Sequence, residues 1–376
     1  SRIARKMRPP LLQPETAMYA TLTPPAGYDP TSPQRAPTVR VRSADDLRSA
    51  LRHARERTVT LDGSGMDRVL RFDTARGILE LQAATPWTEL ARYLAQRDIS
   101  IGSYAQMRGL PATVGEAVSQ AAAGPDGGPV SAHLTAIALF TPDGDLKRAD
   151  RDANSDLFRL VVGGHGVIGL LYSVTLSVES LQRSAAAAPE PVALRLAEGP
   201  STAAPGCAIE CLLPPAALDA YLREVRSLLE ERRTAVHGIT VRRYRPDQDA
   251  RLRWATQEWA GVEISFGIRN TLGASVVAAE VRRALLHLAL AHGGSFPIRD
   301  LRDATRSQLE ACYPMIAAFL ADKRRSDPAD RLQNAWYRRL AATMRSEPCA
   351  VRWDKRQGAA LTPSGAQRAA LPLSSD

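Results

Sequence analysis

The most apolar stretch of the chain is V-V-G-G-H-G-V-I-G-L-L-Y-S-V-T-L-S-V, residues 161–178, and four glycines interrupt it. Each glycine inside a helix costs about 1 kcal/mol relative to alanine, so Gly163, Gly164, Gly166 and Gly169 leave this stretch little helical character. It also lacks the roughly 20 uninterrupted apolar residues of a membrane span. The pattern predicts a glycine loop leading into a buried strand over 167–179.

Similar short signals recur on its N-terminal side. T-V-R-V-R (38–42) alternates as a strand does. Residues 43–57 predict a helix, with Ser43 as N-cap, acids in the first turn and basic residues in the last. A second strand lies in R-T-V-T-L-D-G-S-G, I-L-E-L-Q-A-A-T (78–85) alternates, and P-W-T-E-L-A-R-Y-L-A-Q-R-D (86–98) has helical spacing behind a proline. Residues 133–149 read as strand, P-D-G turn and returning strand, and 155–163 as a short helix stopped by glycine. Residues 38–182 thus form an α+β unit of many short strands. Eight prolines make 1–37 an extended arm. Residues 184–193 read as a linker and 214–234 as a long amphipathic helix. Two strand candidates follow, then a helix over 273–294 and another over 307–328. A helix–strand–strand–helix block of this kind is a sheet covered on one face.

Hydrophobic residues make up 44% of the 376, which is enough for a sizeable core. The net charge of +9 comes mainly from arginine: 45 of the 49 basic residues, with lysine only at 6, 147, 323 and 355. The arginines are evenly spread and aromatic content is 5%, which argues against a nucleic-acid surface. Four cysteines give no disulfide framework, and the lone C-x3-C at 207 and 211 is not a zinc site, so no metal is expected. The basic N-terminus has no apolar core behind it, and a cytoplasmic protein is the expectation.

The run 110–179 resembles the flavin-binding domain of the vanillyl-alcohol oxidase / p-cresol methylhydroxylase superfamily. The resemblance rests on T-V-G (113–115), the T-P-D-G hairpin (141–144), N-S-D-L-F (154–158) and G-G-H-G-V-I-G (163–169). Upstream, S-A-D-D-L (43–47), G-M-D-R-V-L-R-F-D (65–73) and T-P-W-T-E-L (85–90) match as well. A-H-G-G-S-F (291–296), Y-P-M-I-A-A-F-L (313–320), K-R-R-S-D-P (323–328) and N-A-W-Y-R-R-L (334–340) look like the closing segment of the sugar- and lactone-oxidising branch, which includes decaprenylphosphoryl-ribose oxidases. The resemblance implies an α+β fold: a two-subdomain FAD-binding domain with a smaller α+β substrate cap. It divides the chain into an arm (1–37), the FAD-binding domain (38–182), the cap (183–295), a returning segment (296–345) and a tail (346–376). It implies non-covalent FAD, extended between the two subdomains. The cofactor contacts it implies are Arg108, Thr113, Val114, Gly115, Glu116 and Gly124, then Gly163, Gly164, Gly166, Gly169 and Leu170, and finally Asn334. A small-molecule substrate is the expected partner, with no nucleic acid and no membrane span, and the oligomeric state stays open.

Four departures stand out. The family's first strand pair is separated by a glycine-rich pyrophosphate loop. Here T-V-T-L-D-G-S-G-M-D-R-V-L (58–70) runs straight past it, and with the loop goes any histidine for covalent attachment. The family's V-G-G becomes Val114-Gly115-Glu116, with an anion where a pyrophosphate would approach. The His-Gly after it becomes Ala122-Ala123 or Ala123-Gly124. The lysine that lactone-type relatives carry after the late Gly-Gly corresponds to Arg299, which keeps the charge but is no acid or base near neutral pH.

Candidate catalytic residues are Arg299, Glu263, Arg269 and His292. Glu263 and Arg269 lie on strand candidates that would face the flavin; a solvated sheet face is the plainer reading. His292 either faces the pocket or is a helix C-cap, and the glycines of 163–169 serve either the adenine or tight packing. Arg243 and Arg245 alternate and would share a strand face. Two functions remain open: a FAD-linked oxidoreductase acting on a hydroxyl-bearing sugar, lactone or natural-product intermediate, or a flavin-free member doing non-redox chemistry or ligand binding.

Overall fold

The structure is a computed structural model that describes residues 21–22, 37–54, 59–187, 192–194, 206–234, 236–267, 271–346, 352–354 and 359–361. The chain forms two compact units. Unit 1 holds residues up to Glu190, Tyr244–Gln257 and Ala317–Arg339; unit 2 holds Pro191–Arg243, Glu258–Ile316 and the chain from Leu340. The sequence reading drew its boundaries differently, at 183 and 296, and gave unit 1 no part of 244–257.

Unit 1 opens with strand β1 (Thr21–Leu22), β2 (Thr38–Arg40), helix α1 (Ala44–His53) and β3 (Val59–Asp62). Ser43 caps α1 by accepting from the Asp46 amide at 3.1 Å, and Asp45 and Asp46 sit on the positive helix end. Next come β4 (Val69–Asp73), β5 (Ile78–Gln82), α2 (Trp87–Ala95), α3 (Gly102–Gln106), α4 (Val114–Ser119), β6 (Leu134–Phe140), β7 (Leu146–Ala149), α5 (Ser155–Val161), β8 (Leu170–Ser177) and α6 (Val178–Ala186). The P-D-G turn closes the β6–β7 hairpin, and β8 is the buried strand expected after the glycine loop. The helix α6 was not expected. Its N-cap is Ser177, the last residue of β8, whose hydroxyl accepts from Ser180 N at 3.3 Å.

Unit 2 comprises β9 (Val192–Leu194), β10 (Gly206–Leu213), α7 (Leu218–Glu231), β11 (Val236–Tyr244), β12 (Trp259–Gly267), α8 (Leu272–Ala291) and α9 (Arg306–Cys312). Strands β10, β12, β11 and β9 pair in that order into one sheet. The strand β10 escaped the sequence reading, and the helix expected over 307–328 is broken at Tyr313-Pro314, because proline excludes a helical predecessor. Beyond the break lie α10 (Ile316–Ser326), β13 (Leu332–Gln333), α11 (Ala335–Arg345) and a hairpin of β14 (Arg352–Asp354) and β15 (Ala359–Leu361).

Two sheets build unit 1. One has the order β13-β1-β3-β2, with β2 and β3 parallel; the other is antiparallel, β4-β5-β8-β6-β7. A single apolar core joins them: Val41, Leu47, Leu51 and Leu61 pack with Phe140, Leu170 and Leu332. The returning segment is tied in by buried charges. Lys323, fully buried, pairs with Asp327 and lies 3.2 Å from Asp330. Arg331 donates to the carbonyls of Pro142 and Leu51. A second polar network is buried behind α3. The Tyr104 hydroxyl donates to Ser184 Oγ at 2.8 Å and meets His133 Nε2 at 2.7 Å, while His133 Nδ1 meets Ser180 Oγ at 2.7 Å.

Candidate functional site

A cleft opens between the two sheets of unit 1, where sequence alternation alone places apolar side chains on both walls. Val41, Leu47, Leu61 and Met66 form one wall; Gly166, Gly169, Leu170 and Leu171 form the other; Gly63, Ala83, Gly115, Glu116 and Ser119 close it. About 50 Å3 of it is open to a water-sized sphere.

Close backbone approach shapes the floor. The Gly115 amide donates to the Ala83 carbonyl at 2.8 Å, and a Cβ on Gly115 would lie 2.6 Å from both that oxygen and the Ala83 methyl. Only glycine starts a helix there. The Thr113 hydroxyl caps that helix, accepting from Glu116 N at 3.2 Å. The glycine loop then docks on the far end of α4: Gly163 N donates to Val118 O and His165 N to Ser119 O. Gly166, at φ +73°, takes the left-handed conformation that leads the chain into β8. From the returning segment, Asn334 donates to the His165 carbonyl at 2.7 Å and Trp336 stacks on the His165 ring at 3.9 Å. His165 is therefore a packed, structural residue of the loop.

Of the implied cofactor contacts, Gly115, Glu116, Gly166, Gly169 and Leu170 line the cleft. The others lie elsewhere. Val114 is fully buried, Thr113 is a cap, and Arg108 is exposed in the turn after α3. Gly124 packs on the Tyr104 ring, Gly163 packs between Ala121 and Ala250, and Gly164 sits under the Leu160 carbonyl. Asn334 supports the loop carbonyl instead of facing the cleft. The wall of Val41, Leu61 and Met66 and the turn at Gly63 went unassigned, because alternation reports burial and not what is buried against. In that turn the Ser64 amide donates to Asp62 at 2.9 Å, and the hydroxyl and amide of Ser64 hold the Asp62 carboxyl below its usual range.

Unit 2 carries a separate charged cluster. Glu210 on β10 stands opposite Glu263 on β12 in antiparallel register, so the two carboxylates share one sheet face about 5 Å apart at Cβ. Arg299 pairs with Glu210 and offsets the repulsion. Glu263 stays exposed. The sequence reading found Glu263 and Arg299 but not Glu210, the residue that links them. Arg269 lies outside the described residues. His292 is the C-cap of α8; its Nε2 lies 3.0 Å from a Glu224 oxygen and its ring stands edge-on to Tyr221, so it belongs to the helix layer. Arg243 pairs with Glu258 at 3.1 Å, whereas Arg245 lies past the end of β11 and pairs with Asp126, so the two do not act from one strand face. Trp254 and Trp259 are core residues.

Comparison with known proteins decides the class of unit 1. Residues 38–150 match the family model described as FAD binding domain. That match makes residues 38–150 similar to a FAD binding domain. The fold agrees. A solved structure of alkyldihydroxyacetonephosphate synthase aligns with TM-score 0.53 at 11% identity, covering 80% of this chain and 77% of that one. The structure of a BBE-like 1 protein from Physcomitrella patens aligns with TM-score 0.60 at 10% identity, covering 79% and 89%. No curated protein matches the sequence significantly. The cofactor that the matched domain points to is FAD. No helix among the described residues is long and apolar enough to cross a membrane.

The cleft can be tested against that cofactor. Leu61, Met66 and Leu170 fit flat uncharged rings, and Gly63, Gly115 and Gly166 leave backbone open to close approach. Its charge does not suit a diphosphate, because Glu116 is the ionisable side chain among the described residues of the lining.

Proposed function

We propose that this chain is a FAD-linked oxidoreductase that oxidises a hydroxyl-bearing small molecule, a sugar, lactone or natural-product intermediate. The observation that carries the reading is the coincidence of the FAD-binding domain over 38–150 with a two-walled apolar cleft in that same unit. Val41, Leu61, Met66, Gly166 and Leu170 would hold the rings. When bound, FAD supplies the hydride acceptor. The chain supplies binding, orientation and charge. Within unit 2, the exposed Glu263 carboxylate is the candidate to accept a substrate hydroxyl's proton, and Arg299, paired with Glu210, is the candidate positive charge. His292 is left out because Glu224 holds it.

A visible absorption spectrum after incubation with FAD and gel filtration tests the reading. Retained flavin bands that bleach anaerobically with one class of polyol, lactone or phenol support it. A protein that stays colourless with excess FAD refutes it. That outcome favours a flavin-free member of the fold working through the same cleft, a reading motivated by the missing pyrophosphate loop and by Glu116.

A further inference from the structure

Among the described residues of the cleft lining, none comes from 244–257, yet this segment of unit 1 holds two structures that do line it. Helix α4 brings Gly115, Glu116 and Ser119 to the cleft, and the chain turns away from its C-terminal end at Ala121. Ala121 sits at φ +47°, the left-handed conformation that helix ends usually give to glycine. An alanine keeps it only where its surroundings hold it there. Trp254 supplies the hold: its indole Nε1 donates to the Ala121 carbonyl at 2.8 Å, and its buried ring stands edge-on to Tyr244. Beside it, the Ala250 methyl fills the space over Gly163, where a Cβ would lie 3.0 Å from that methyl and 3.1 Å from the Ala121 methyl. The loop that starts at Gly163 carries Gly166 and Gly169 to the opposite wall. The segment is itself shaped by the buried Asp247, which accepts from the amides of Asp249 at 2.8 Å and Ala250 at 3.3 Å. Arg151 fastens it, donating to both Asp249 oxygens at 2.9 and 2.8 Å and to the Leu134 and Ser131 carbonyls at 2.6 and 2.9 Å. At its two ends the Arg245 amide donates to the Gly127 carbonyl and the Arg251 amide to the Arg159 carbonyl on α5, each at 2.8 Å.

We propose that residues 244–257 are a clamp that positions the floor helix and the glycine wall of the cleft for the flavin, with Trp254 and Ala250 as its positioning residues. The inference rests on reading the cleft as the flavin site and adds what keeps that site in shape. A ligand that needs both walls in place binds the docked form of the clamp, so binding and docking strengthen each other. A clamp docked for only a fraction of the time lowers the apparent affinity by that fraction.

The test is amide hydrogen exchange of the full chain with and without FAD, together with FAD dissociation constants from flavin fluorescence quenching. In wild type, FAD is expected to slow exchange at the Arg245 and Arg251 amides as well as in the glycine loop. Trp254→Phe keeps an aromatic ring and removes the N–H. It is expected to weaken FAD about tenfold, the effect of one buried hydrogen bond, and to speed exchange around Ala121 and across the glycine loop. The β4–β5 hairpin of the same unit should stay within about twofold, whereas a merely structural loss would speed all three regions together. Adding Ala121→Gly to Trp254→Phe should recover affinity, because glycine takes the left-handed conformation without help. FAD that protects the glycine loop but leaves Arg245 and Arg251 unchanged overturns the proposal while leaving the flavin reading intact. So does a Trp254→Phe affinity within about twofold of wild type, or no recovery with Ala121→Gly. If wild type binds no FAD, both fall together. The wild-type exchange series needs no variant, so it decides the proposal even if Trp254→Phe fails to fold.

Discussion

Acid should loosen unit 1 through a single buried imidazole. His133 is 4% exposed, and burial pushes its pKa down from 6.5 to about 4, with Asp126 opposing the shift and Arg245 and Arg183 adding to it. A folded-state value below the unfolded one means that the unfolded chain binds the extra proton first. Stability is therefore complete above pH 6.5 and is lost as the pH falls toward 4. Between pH 7 and pH 5 the loss from these two values is about 2 kcal/mol. The neutral ring is well satisfied, with Tyr104 on Nε2 and Ser180 on Nδ1, so the cost lies in desolvating the charged form. Amide hydrogen exchange of peptides covering α3 and α6, corrected for intrinsic rates, reads the opening energy of this region at both pH values. Wild type should lose about 2 kcal/mol more than His133→Gln over that interval, because the variant has nothing to titrate there. Equal losses in the two proteins would refute the reasoning and place the acid sensitivity in other groups.

Three further outcomes are expected. Lys323→Met leaves the buried Asp327 carboxylate without its cation and should cost about 3–5 kcal/mol in urea unfolding, with Asp327→Asn in the same chain recovering part of it. Gly115→Ala forces a methyl against the Ala83 backbone at 2.6 Å and should cost about 1–3 kcal/mol, measured by the urea midpoint of unit 1. Glu263→Gln, on an exposed sheet position, should leave the unfolding midpoint within about 0.5 kcal/mol and FAD affinity unchanged, while lowering kcat for the substrate found by bleaching about 100-fold or more. An unchanged kcat would remove Glu263 from the chemistry.

Local chemistry was readable wherever it is self-contained. Ser43 followed by two aspartates announces its helix, T-P-D-G announces its hairpin, and the four glycines of 163–169 exclude a helix, each through contacts made within a few residues. Gly115, Glu116, Gly166, Gly169 and Leu170 were found because a contiguous motif carries them. The wall formed by Val41, Leu61 and Met66 was not, since period-2 alternation says that a side chain is buried and not which cleft it borders. The same limit hid Glu210, whose role depends on the register that sets it opposite Glu263 and within reach of Arg299. It also left open whether His292 faces a pocket, a question answered by Glu224 on a helix 68 residues away. Residues 244–257 read as one more stretch of the substrate block, yet Trp254 donates to the Ala121 carbonyl and Asp249 pairs with Arg151, which makes them part of unit 1. By itself, then, the sequence determined the capped helix after Ser43, the T-P-D-G hairpin, the glycine loop with its strand and the anion at position 116, because each is written in neighbouring residues. Only the tertiary structure decided which of those residues border a common space, because that depends on pairings between segments up to 280 residues apart.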